Sequence, residues 1–215
     1  MSSKDSQAAP IVFVIDDDIS IRESLELLLR SVGLKAQIFA SAEQFLAYPR
    51  VMAPACLILD VSLPGVNGLE LQKRIAVDRA NMPIIFITGY GDVPTTVQAM
   101  KAGAVEFLTK PFNDETLLSA IGDAVERSRS AIESEAELRA FNLGYATLTA
   151  REQEVMALVV SGLPNRQIGC ELGISEITVK MHRGKVMQKM GANSLPELVN
   201  MAAMLSLPIR RVRAH

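Results

Sequence analysis

The chain has 215 residues, of which 49 % are hydrophobic, and a formal net charge of −2. This length allows two modest domains with separate cores, which is the organisation we expect. The composition argues against a membrane or secreted protein, because no apolar run approaches the roughly 20 residues that cross a bilayer and the first ten residues lack the pattern of a signal peptide. We expect a cytoplasmic protein. Cys56 and Cys170 lie far from any metal-ligand or redox spacing, and both are expected to be buried small residues.

Charge is distributed unevenly along the chain. Residues 146–215 carry nine Lys and Arg against five Asp and Glu, a net charge of +4, whereas residues 1–145 carry 13 against 19, a net charge of −6. An acidic half joined to a basic half indicates that the C-terminal half binds a polyanion. Ordinary variation between two domains is the alternative.

The first 125 residues alternate between short apolar runs and amphipathic stretches of helix length. The apolar runs are Ile11 to Ile15, Ala36 to Phe39, Ala55 to Leu59, Pro83 to Thr88 and Val105 to Leu108. Strict alternation of this kind predicts an α/β fold with a doubly wound sheet of five parallel strands in the order 2-1-3-4-5.

Polar residues stand at the ends of four of these runs. They are Asp16 and Asp17, Asp60, Thr88, and Lys110. Ligands of parallel sheets bind outside the carboxyl ends of the strands, so we expect these side chains to converge. Three carboxylates repel one another unless a cation lies among them, and Mg²⁺ prefers oxygen ligands and accepts phosphate. Each acid alone has a simpler explanation as a helix cap, but together they predict a site for Mg²⁺ and a phosphoryl group.

Asp60 is the expected phosphoryl acceptor, because a carboxylate that attacks phosphorus in line forms an acyl phosphate. It begins the loop DVSLPGVNG, which we expect to leave it exposed at the strand end, whereas Asp16 and Asp17 are suited to holding metal. Lys110 is expected to neutralise phosphoryl oxygens, and Thr88 to donate a hydrogen bond to them.

Two neighbouring residues have structural interpretations. Asp18 is expected to begin the first helix, because an acid there complements the helix dipole. Pro111 makes a cis bond after Lys110 possible, but cis bonds are uncommon even before proline, which favours an ordinary proline that starts the next helix.

Residues 11–126 resemble a response-regulator receiver domain. The motifs that carry the resemblance are IDDD (Ile15 to Asp18), LILDVSLPGVNG (Leu57 to Gly68), ITGYGD (Ile87 to Asp92) and AMKAGAVEFLTKPF (Ala99 to Phe112). The resemblance implies that Asp16, Asp17 and Asp60 hold Mg²⁺ together with the backbone carbonyl of Ser62. It also implies that Asp60 takes its phosphoryl group from a sensor histidine kinase.

The same resemblance implies a conformational switch. In it, Thr88 moves toward the phosphoryl group and Phe107 turns inward, which alters the face formed by the fourth helix, the fifth strand and the fifth helix. Considered without the family, Phe107 is simply a core aromatic residue of the fifth strand.

A long helix is predicted after the sheet. From Asn113 onward, apolar residues recur at intervals of three and four with Glu and Arg between them, until NLGYAT (Asn142 to Thr147) ends the pattern. The second half of this helix is too polar to be buried alone. Two alternatives remain: weak pairing with a second copy, or a spacer that stands in solvent.

The C-terminal part predicts four helices. Thr149 opens the first with a capping-box pattern, Pro164 lies in the first turn of the second, and Ser175 and Ser194 cap the third and fourth. The turn Leu172 to Ile174, with Gly173 at its centre, joins the second helix to the third. This arrangement is typical of a helix-turn-helix.

A helical wheel of the third helix separates an apolar side from a basic side. Val179, Val186 and Met190 form the core side. The opposite side carries Ile177, Met181, Gly184, Lys185 and Gln188, with Thr178, Lys180, His182 and Lys189 beside it. Such a face suits the DNA major groove, with Lys180 and Lys185 for guanine edges or phosphate and Met181 for a thymine methyl. A merely solvated basic face is the alternative.

Residues Leu148 to Val199 are similar along their whole length to the LuxR-type helix-turn-helix of the NarL/FixJ class. The resemblance implies backbone contacts to DNA from Asn165, Arg166, Thr178, His182 and Lys189, and base contacts from Lys180 and Met181. His182 has the alternative of simply packing the helix.

The order of the two modules resembles that of FixJ-type regulators. The expected domains are a flexible N-terminus (1–10), a receiver domain (11–126), a linker helix (127–146), the helix-turn-helix domain (147–208) and a basic tail (209–215). The expected function is phosphorylation-dependent transcription regulation in a two-component system. We expect the protein to dimerise on phosphorylation of Asp60 and to bind paired half-sites in promoter DNA, with RNA polymerase as a further expected partner. We also expect it to catalyse only its own aspartyl phosphorylation and dephosphorylation.

Two rival functions belong to other classes. A magnesium-dependent phosphatase or phosphotransferase that uses Asp60 as its nucleophile lacks an acid two residues later, where Ser62 stands. A helical domain that binds protein instead of DNA is the other. Retention on nucleic acid after replacement of Lys180, Lys185 and Lys189 distinguishes it.

Overall fold

The computed structural model describes residues 8–89, 91–205 and 207. Most of the predicted flexible N-terminus and all of the predicted basic tail therefore lie outside the described residues. The chain divides into two compact units between Glu133 and Ser134. Among the helices of the described ranges, none combines the length and apolarity that a membrane crossing requires.

The first unit contains the predicted five-stranded parallel sheet. Its strands are β1 (Ile11–Ile15), β2 (Lys35–Phe39), β3 (Ala55–Asp60), β4 (Ile84–Thr88) and β5 (Glu106–Thr109). Their order in the sheet is β2-β1-β3-β4-β5, as predicted, and every neighbouring pair is parallel. The first crossover therefore runs to one side of β1 and the later ones run to the other side, which leaves a crevice at the carboxyl ends of β1 and β3.

Helices cover both faces of the sheet because the strands are apolar on both faces. The helices that begin in this unit are α1 (Ile19–Ser31), α2 (Ala42–Ala47), α3 (Gly68–Asp78), α4 (Val93–Lys101) and α5 (Asp114–Ala146). Alternate residues of β1 point to opposite faces: Phe13 packs in one core with residues of α2, α3 and α4, and Val14 packs in the other with residues of α1 and α5. Asp18 caps α1, as predicted, by accepting a hydrogen bond from the backbone N–H of Ser20 at 2.8 Å.

Helix α5 has 33 residues and changes its environment along its length. Its first part is buried against the sheet, and the hydroxyl of Ser128 donates to the carbonyl of Asn81 at 2.5 Å while accepting from the backbone N–H of Ala55 at 3.0 Å. Its last turns present Phe141 and Tyr145 to the core of the second unit. The helix ends at Ala146, near the end of the segment that was predicted to break it.

The second unit is all-helical within the described residues. After the end of α5 it contains α6 (Ala150–Val160), α7 (Asn165–Leu172), α8 (Glu176–Met190) and α9 (Leu195–Met204). The predicted caps are present: Thr149 forms a reciprocal capping box with Glu152, and Ser175 and Ser194 accept hydrogen bonds from the third residues of their helices. Pro164 immediately precedes α7.

The turn between α7 and α8 has the tight geometry of a helix-turn-helix. Gly173 adopts a left-handed conformation with φ 65°, which ends α7. A Cβ on Gly169 would lie 2.7 Å from the carbonyl oxygen of Ile174, so the turn can approach α7 only because residue 169 is glycine. The guanidinium of Arg151, on α6, donates a hydrogen bond to the carbonyl of Leu172 at the end of α7.

Two sequence expectations in these regions are wrong. Cys56 is buried in β3 as expected, but Cys170 is exposed, because α7 turns Ile168 and Gly169 toward the core and Cys170 away from it. The Lys110–Pro111 peptide bond is cis, and Pro111 does not start a helix. Asn113 takes that role, since its side chain accepts hydrogen bonds from the first turn of α5.

Candidate functional site

The crevice at the strand ends brings the predicted acids together. Asp16 follows β1 directly and Asp60 is the last residue of β3, the neighbouring strand. One carboxylate oxygen from each of Asp16, Asp17 and Asp60 lies within 4.8 Å of the other two. Asp16 and Asp60 are buried, whereas Asp17 is exposed. Three hard oxygen donors with an open side form a donor set that suits a Mg²⁺ ion, which keeps several waters when bound.

Lys110 reaches the same crevice from the end of β5. Its ammonium donates a hydrogen bond to Asp16 Oδ2 at 2.7 Å and another to Asp60 Oδ2 at 3.2 Å. The backbone N–H of Lys110 donates to the carbonyl of Thr88 at 2.7 Å, which ties the end of β5 to the end of β4. One ammonium thus bridges two carboxylates that come from strands on the other side of β4.

The protonation behaviour of the crevice follows from burial and charge. Burial raises the pKa of Asp16, and the hydrogen bonds from Lys110 and from the Asp18 backbone only partly oppose this increase. Burial also acts to lower the pKa of Lys110, but hydrogen bonding and ion pairing with Asp16, reinforced by Asp60, outweigh it and raise the pKa. The ammonium of Lys110 is therefore a fixed positive charge beside the acids.

Asp60 is less accessible than its loop sequence predicts. Its side chain is only 8 % exposed, because Lys110 lies over one oxygen and the backbone N–H of Ser62 donates to the other at 3.1 Å. The loop that follows folds back closely. A Cβ on Gly68 would lie 2.7 Å from the backbone oxygen of Asp60, so only glycine fits there.

The residues predicted to sense a phosphoryl group lie on β4 and β5. Thr88 is fully buried at the end of β4 and pairs in register with Thr109. Phe107 is half-buried against the sheet core, with its ring centroid 6.0 Å from that of Phe86. A Cβ on Gly91 would lie 3.3 Å from the Phe107 ring, so the loop after β4 packs directly on this aromatic side chain.

Sequence reasoning missed a further contact at the crevice. Arg22, on α1, donates from its guanidinium to the backbone carbonyl of Asp16 at 2.6 Å. This bond fixes the backbone that carries the two acids after β1. The only available signal was the position of Arg22 one turn into the helix that Asp18 caps.

The second unit presents the predicted two sides of α8. Val179, Val186 and Met190 are buried, whereas the side chains of Ile177 and Met181 are 79 % and 50 % exposed. Lys180 and Lys185 are exposed, and the Lys180 ammonium lies 3.3 Å from Glu176 Oε1 in a surface ion pair one turn earlier. Because exposed pairs of this kind contribute little to stability, both ammonium groups remain available to an anion.

Lys189 differs from these two lysines because its ammonium is held within the unit. It lies 2.6 Å from Oε2 of the buried Glu152 and donates to the carbonyl of Thr147 at 3.0 Å. The hydrogen bond from Lys189, together with that from the Thr149 backbone, lowers the pKa of Glu152 to about 2. The capping box was predicted from the sequence, whereas the contact of Lys189 on α8 with Glu152 was not.

The other predicted DNA contacts are scattered over α7 and α8. Arg166 is exposed, Asn165 accepts a hydrogen bond from Arg183 at 3.3 Å, and the hydroxyl of Thr178 lies 2.8 Å from that of Ser175. The Nδ1 atom of His182 is buried without a hydrogen-bond partner, so this ring is partly packed into the unit. The hydrogen bond from Arg183 on α8 to Asn165 supports the start of α7.

Two family models together match most of the chain. Residues 12–122 match the response regulator receiver domain, and residues 146–202 match the luxR family of bacterial regulatory proteins. The two matches fall on the sheet-containing part and on the helical part that follows it.

Relatives and solved structures match both modules in the same order. The chain is 50 % identical over 197 residues to nodulation protein W of Bradyrhizobium diazoefficiens, covering 92 % of this chain and 87 % of that protein. It is 42 % identical to the transcriptional regulatory protein FixJ of the same organism, covering 89 % and 93 %. The solved structure of the response regulator StyR has a TM-score of 0.80 at 44 % identity, covering 91 % of this chain and 99 % of that one. Full-length FixJ from B. japonicum has a TM-score of 0.55 at 41 % identity, covering 94 % and 100 %. The chain therefore belongs to the FixJ-like two-component response regulators, in which a receiver domain is joined to a LuxR-type DNA-binding domain.

Proposed function

We propose that this regulator accepts a phosphoryl group on Asp60 from a sensor histidine kinase and then binds promoter DNA as a dimer. The observation that carries the proposal is the Lys110 ammonium between Asp16 and Asp60, at 2.7 and 3.2 Å. An ammonium between two buried acids at the ends of adjacent strands supports transfer of an anionic group to one of them.

In the transfer, Asp60 is the nucleophile. An Oδ of Asp60 attacks the phosphorus of phosphohistidine in line, the new P–O bond forms as the P–N bond breaks, and the imidazole nitrogen keeps the electron pair and then takes a proton. Lys110 changes partner from the Asp60 carboxylate to the phosphoryl oxygens, whose negative charge it neutralises. Thr88 donates its hydroxyl hydrogen to one of the same oxygens.

Mg²⁺ is the proposed cofactor, held by Asp16, Asp17, Asp60 and the backbone carbonyl of Ser62. When bound, the ion neutralises charge on the transferring phosphoryl group. Burial, which raises the pKa of Asp16, reflects the cost of an ionised acid in this crevice, and a divalent cation removes that cost. The same three acids, with Lys110, favour phosphoryl capture over turnover of phosphoesters, since Ser62 supplies no acid to protonate a leaving group.

The output is proposed to run from Thr88 and Phe107 to the surface of α4, β5 and α5, and from there to dimerisation. One recognition helix makes few base contacts, whereas two tethered modules on paired half-sites raise the effective concentration of the second. In this proposal Lys180, Met181 and Lys185 contact base edges or phosphates, and Asn165, Arg166, Thr178 and His182 contact the DNA backbone. Lys189, which the resemblance also implied as a backbone contact, keeps its ammonium on Glu152 instead. Promoter DNA and RNA polymerase as partners imply a cytoplasmic protein.

Phosphorylation is tested with a small acyl phosphate as donor. We expect the protein to gain one phosphoryl group in the presence of Mg²⁺, measured by intact mass, and to gain none in EDTA. Asp60→Asn is expected to abolish the gain, whereas Asp18→Asn, which alters only the helix cap beside the site, is expected to retain it. Equal labelling of Asp60→Asn and the unaltered protein overturns the proposed acceptor.

DNA binding is tested by selecting duplexes from a random library with and without the donor. We expect donor treatment to raise retention of a duplex with two related half-sites and to shift the protein to a dimer in sedimentation. The Asp60→Asn variant is expected to show neither change. Full activation of that variant by the donor, or turnover of small phosphoesters without DNA, contradicts the proposal.

A further inference from the structure

Helix α8, the recognition helix of the proposed DNA-binding unit, carries two exposed apolar side chains that form a ridge. The charged residues around them do not explain why this part of the surface is apolar. Ile177 and Met181 are 79 % and 50 % exposed, and they are separated by one helical turn. Lys185 continues the same row one turn further, and Lys180 lies beside it. Ile177 is the second residue of α8, so the ridge begins at the N-terminus of the helix. In helix-turn-helix proteins the N-terminal residues of this helix contact base edges in the major groove.

The surroundings of the ridge favour duplex DNA as its occupant. Lys185 extends the ridge and Lys180 lies beside it. Two positive charges next to the ridge favour a polyanion as its partner over an apolar protein surface. Gly184 lies one turn after Met181, and a Cβ built there would meet nothing within 4 Å, so the helix surface next to the ridge is open. Of the groups on the floor of a major groove, the thymine 5-methyl group is the apolar one.

We propose that Ile177 is a specificity residue that packs against a thymine methyl group, so that Ile177 and Met181 together read two thymines in each half-site. The inference rests on the proposed binding of promoter DNA and adds a base preference to it. The side chain of Ile177 offers no hydrogen bond, so its contribution is contact with the methyl group alone. Lys180 and Lys185 act on guanine edges or phosphates at neighbouring positions.

Replacing thymine by deoxyuridine tests the proposal, because it deletes the methyl group and leaves the hydrogen-bonding edges unchanged. A duplex selected by the donor-treated protein is resynthesised with uracil at one thymine at a time. We expect about a fourfold loss of affinity at a contacted position, the value for one buried CH₂-sized group. In the Ile177→Ala variant, uracil at the thymine that Ile177 contacts is expected to cause no loss of affinity. Uracil at the thymine that Met181 contacts is expected to weaken binding as before.

Leu143→Ala provides the matched control. Leu143 is an exposed apolar residue on α5 in the same unit, and its truncation is expected to leave every uracil effect unchanged. Circular dichroism of each variant checks that it is folded. Duplex binding that no uracil substitution weakens overturns the proposal, as does a uracil effect that Ile177→Ala leaves intact.

Two further outcomes separate this proposal from others. If no duplex is selected at all, the proposed DNA binding itself fails. If Ile177→Ala changes the sedimentation of the protein without DNA, the ridge binds a second copy and the assignment to thymine is wrong. Unchanged sedimentation with a position-specific uracil effect supports it.

Discussion

The proposed phosphoryl site and the exposed face of α8 both depend on charged side chains, but they hold them in opposite ways. In the first unit, Asp16 and Asp60 are almost excluded from solvent and share the ammonium of Lys110, which follows β5, two places from β3 and three from β1 in the sheet. In the second unit, Lys180 and Lys185 stand on one exposed face of a single helix. The first arrangement depends on tertiary structure, and the second needs only α8.

This difference separates two ways of building a binding site. A buried charge must be matched by a partner, so its replacement alters both stability and binding. An exposed charge interacts mainly with water and salt, so its replacement alters binding with little effect on stability. Lys189 belongs to the first class although it lies on α8, because its partner Glu152 is buried.

The largest stability effect is expected from Lys110→Met. This change leaves the carboxylates of Asp16 and Asp60 facing each other without the ammonium, and removing one partner of a buried ion pair typically costs about 3 kcal/mol. We expect the free energy of unfolding at neutral pH to fall by about this amount, measured in urea. Phosphorylation by the small acyl phosphate is expected to be lost as well.

Lys73→Met is the matched control for this change, since Lys73 is an exposed lysine of α3. Added Mg²⁺ is expected to restore part of the stability of Lys110→Met, because the ion replaces positive charge among the acids. Urea curves that coincide for Lys110→Met and the unaltered protein would contradict the contrast between the two units. The buried ion pairs of Lys110 would then contribute as little to stability as exposed ones.

A smaller effect, dependent on pH, is expected at Glu152. Its pKa of about 2 lies below the ordinary value of 4.5, so the unfolded chain binds more protons between these values. The stability that the ionised group contributes is fully present above pH 4.5 and is lost as the pH falls toward 2. Glu152→Gln is expected to remove this loss between those pH values and to lower stability above pH 4.5.

Hydrogen exchange of the buried amides of α6 and α8, corrected for intrinsic rates at each pH, measures this effect within the second unit. Glu154→Gln is the control, because Glu154 is an exposed acid on the same helix, and its ion pair with Arg151 is at the surface. If the pH dependence of stability is the same in Glu152→Gln and the unaltered protein, the ion pair between Lys189 and Glu152 does not stabilise the unit. Lys189 would then not differ from Lys180.

The fold and the buried site were more predictable from the sequence than the exposed face was. The alternation of apolar runs predicted all five strands and their order, and parallel strand ends in that order must lie together. Convergence of Asp16, Asp60 and Lys110 therefore followed from topology alone. What the sequence could not supply was the degree of burial of Asp60, since this depends on how Lys110 and the Ser62 backbone close over it.

The helical wheel of α8 predicted its core side correctly, but it treated all the lysines alike. The wheel contains no information about neighbouring helices, so it could not show that Glu152 of α6 holds Lys189. Packing between helices likewise placed Cys170 outward, against expectation. These two misses, Lys189 and Cys170, share a cause: each depends on contacts between helices that the pattern within one helix does not contain.

Gln72 is a buried polar residue without charge, and its replacement by Leu is expected to change the free energy of unfolding by about 1 kcal/mol. Its amide is buried on α3 and donates to the carbonyl of Ala99 on α4 at 3.2 Å, while its Oε1 atom has no partner. The Ala99 carbonyl also accepts from the backbone N–H of Ala104 at 3.1 Å. Gln72→Leu therefore removes an unsatisfied buried acceptor and leaves no new one.

We expect Gln72→Leu to raise the free energy of unfolding in urea, and the same change at exposed Gln98 of α4 to leave it almost unchanged. Loss of stability in Gln72→Leu shows that the bond to Ala99 outweighs the unsatisfied oxygen. Burial of a polar group then stabilises this unit even when its partners are incomplete.

The smallest stability effects, below about 0.5 kcal/mol, are expected from Lys180→Ala and Lys185→Ala, because both side chains are exposed. We expect their effect to be on DNA binding, since each lysine that contacts a phosphate contributes about one to the slope of log affinity against log salt concentration. Lys189→Met is expected to do the reverse, lowering stability while leaving the slope unchanged, since its ammonium is already held by Glu152. Titrations of a selected duplex at several salt concentrations measure the slopes. A slope that falls in Lys189→Met as much as in Lys180→Ala means that DNA draws Lys189 out of its ion pair with Glu152. That ion pair then no longer separates the two kinds of lysine on this helix.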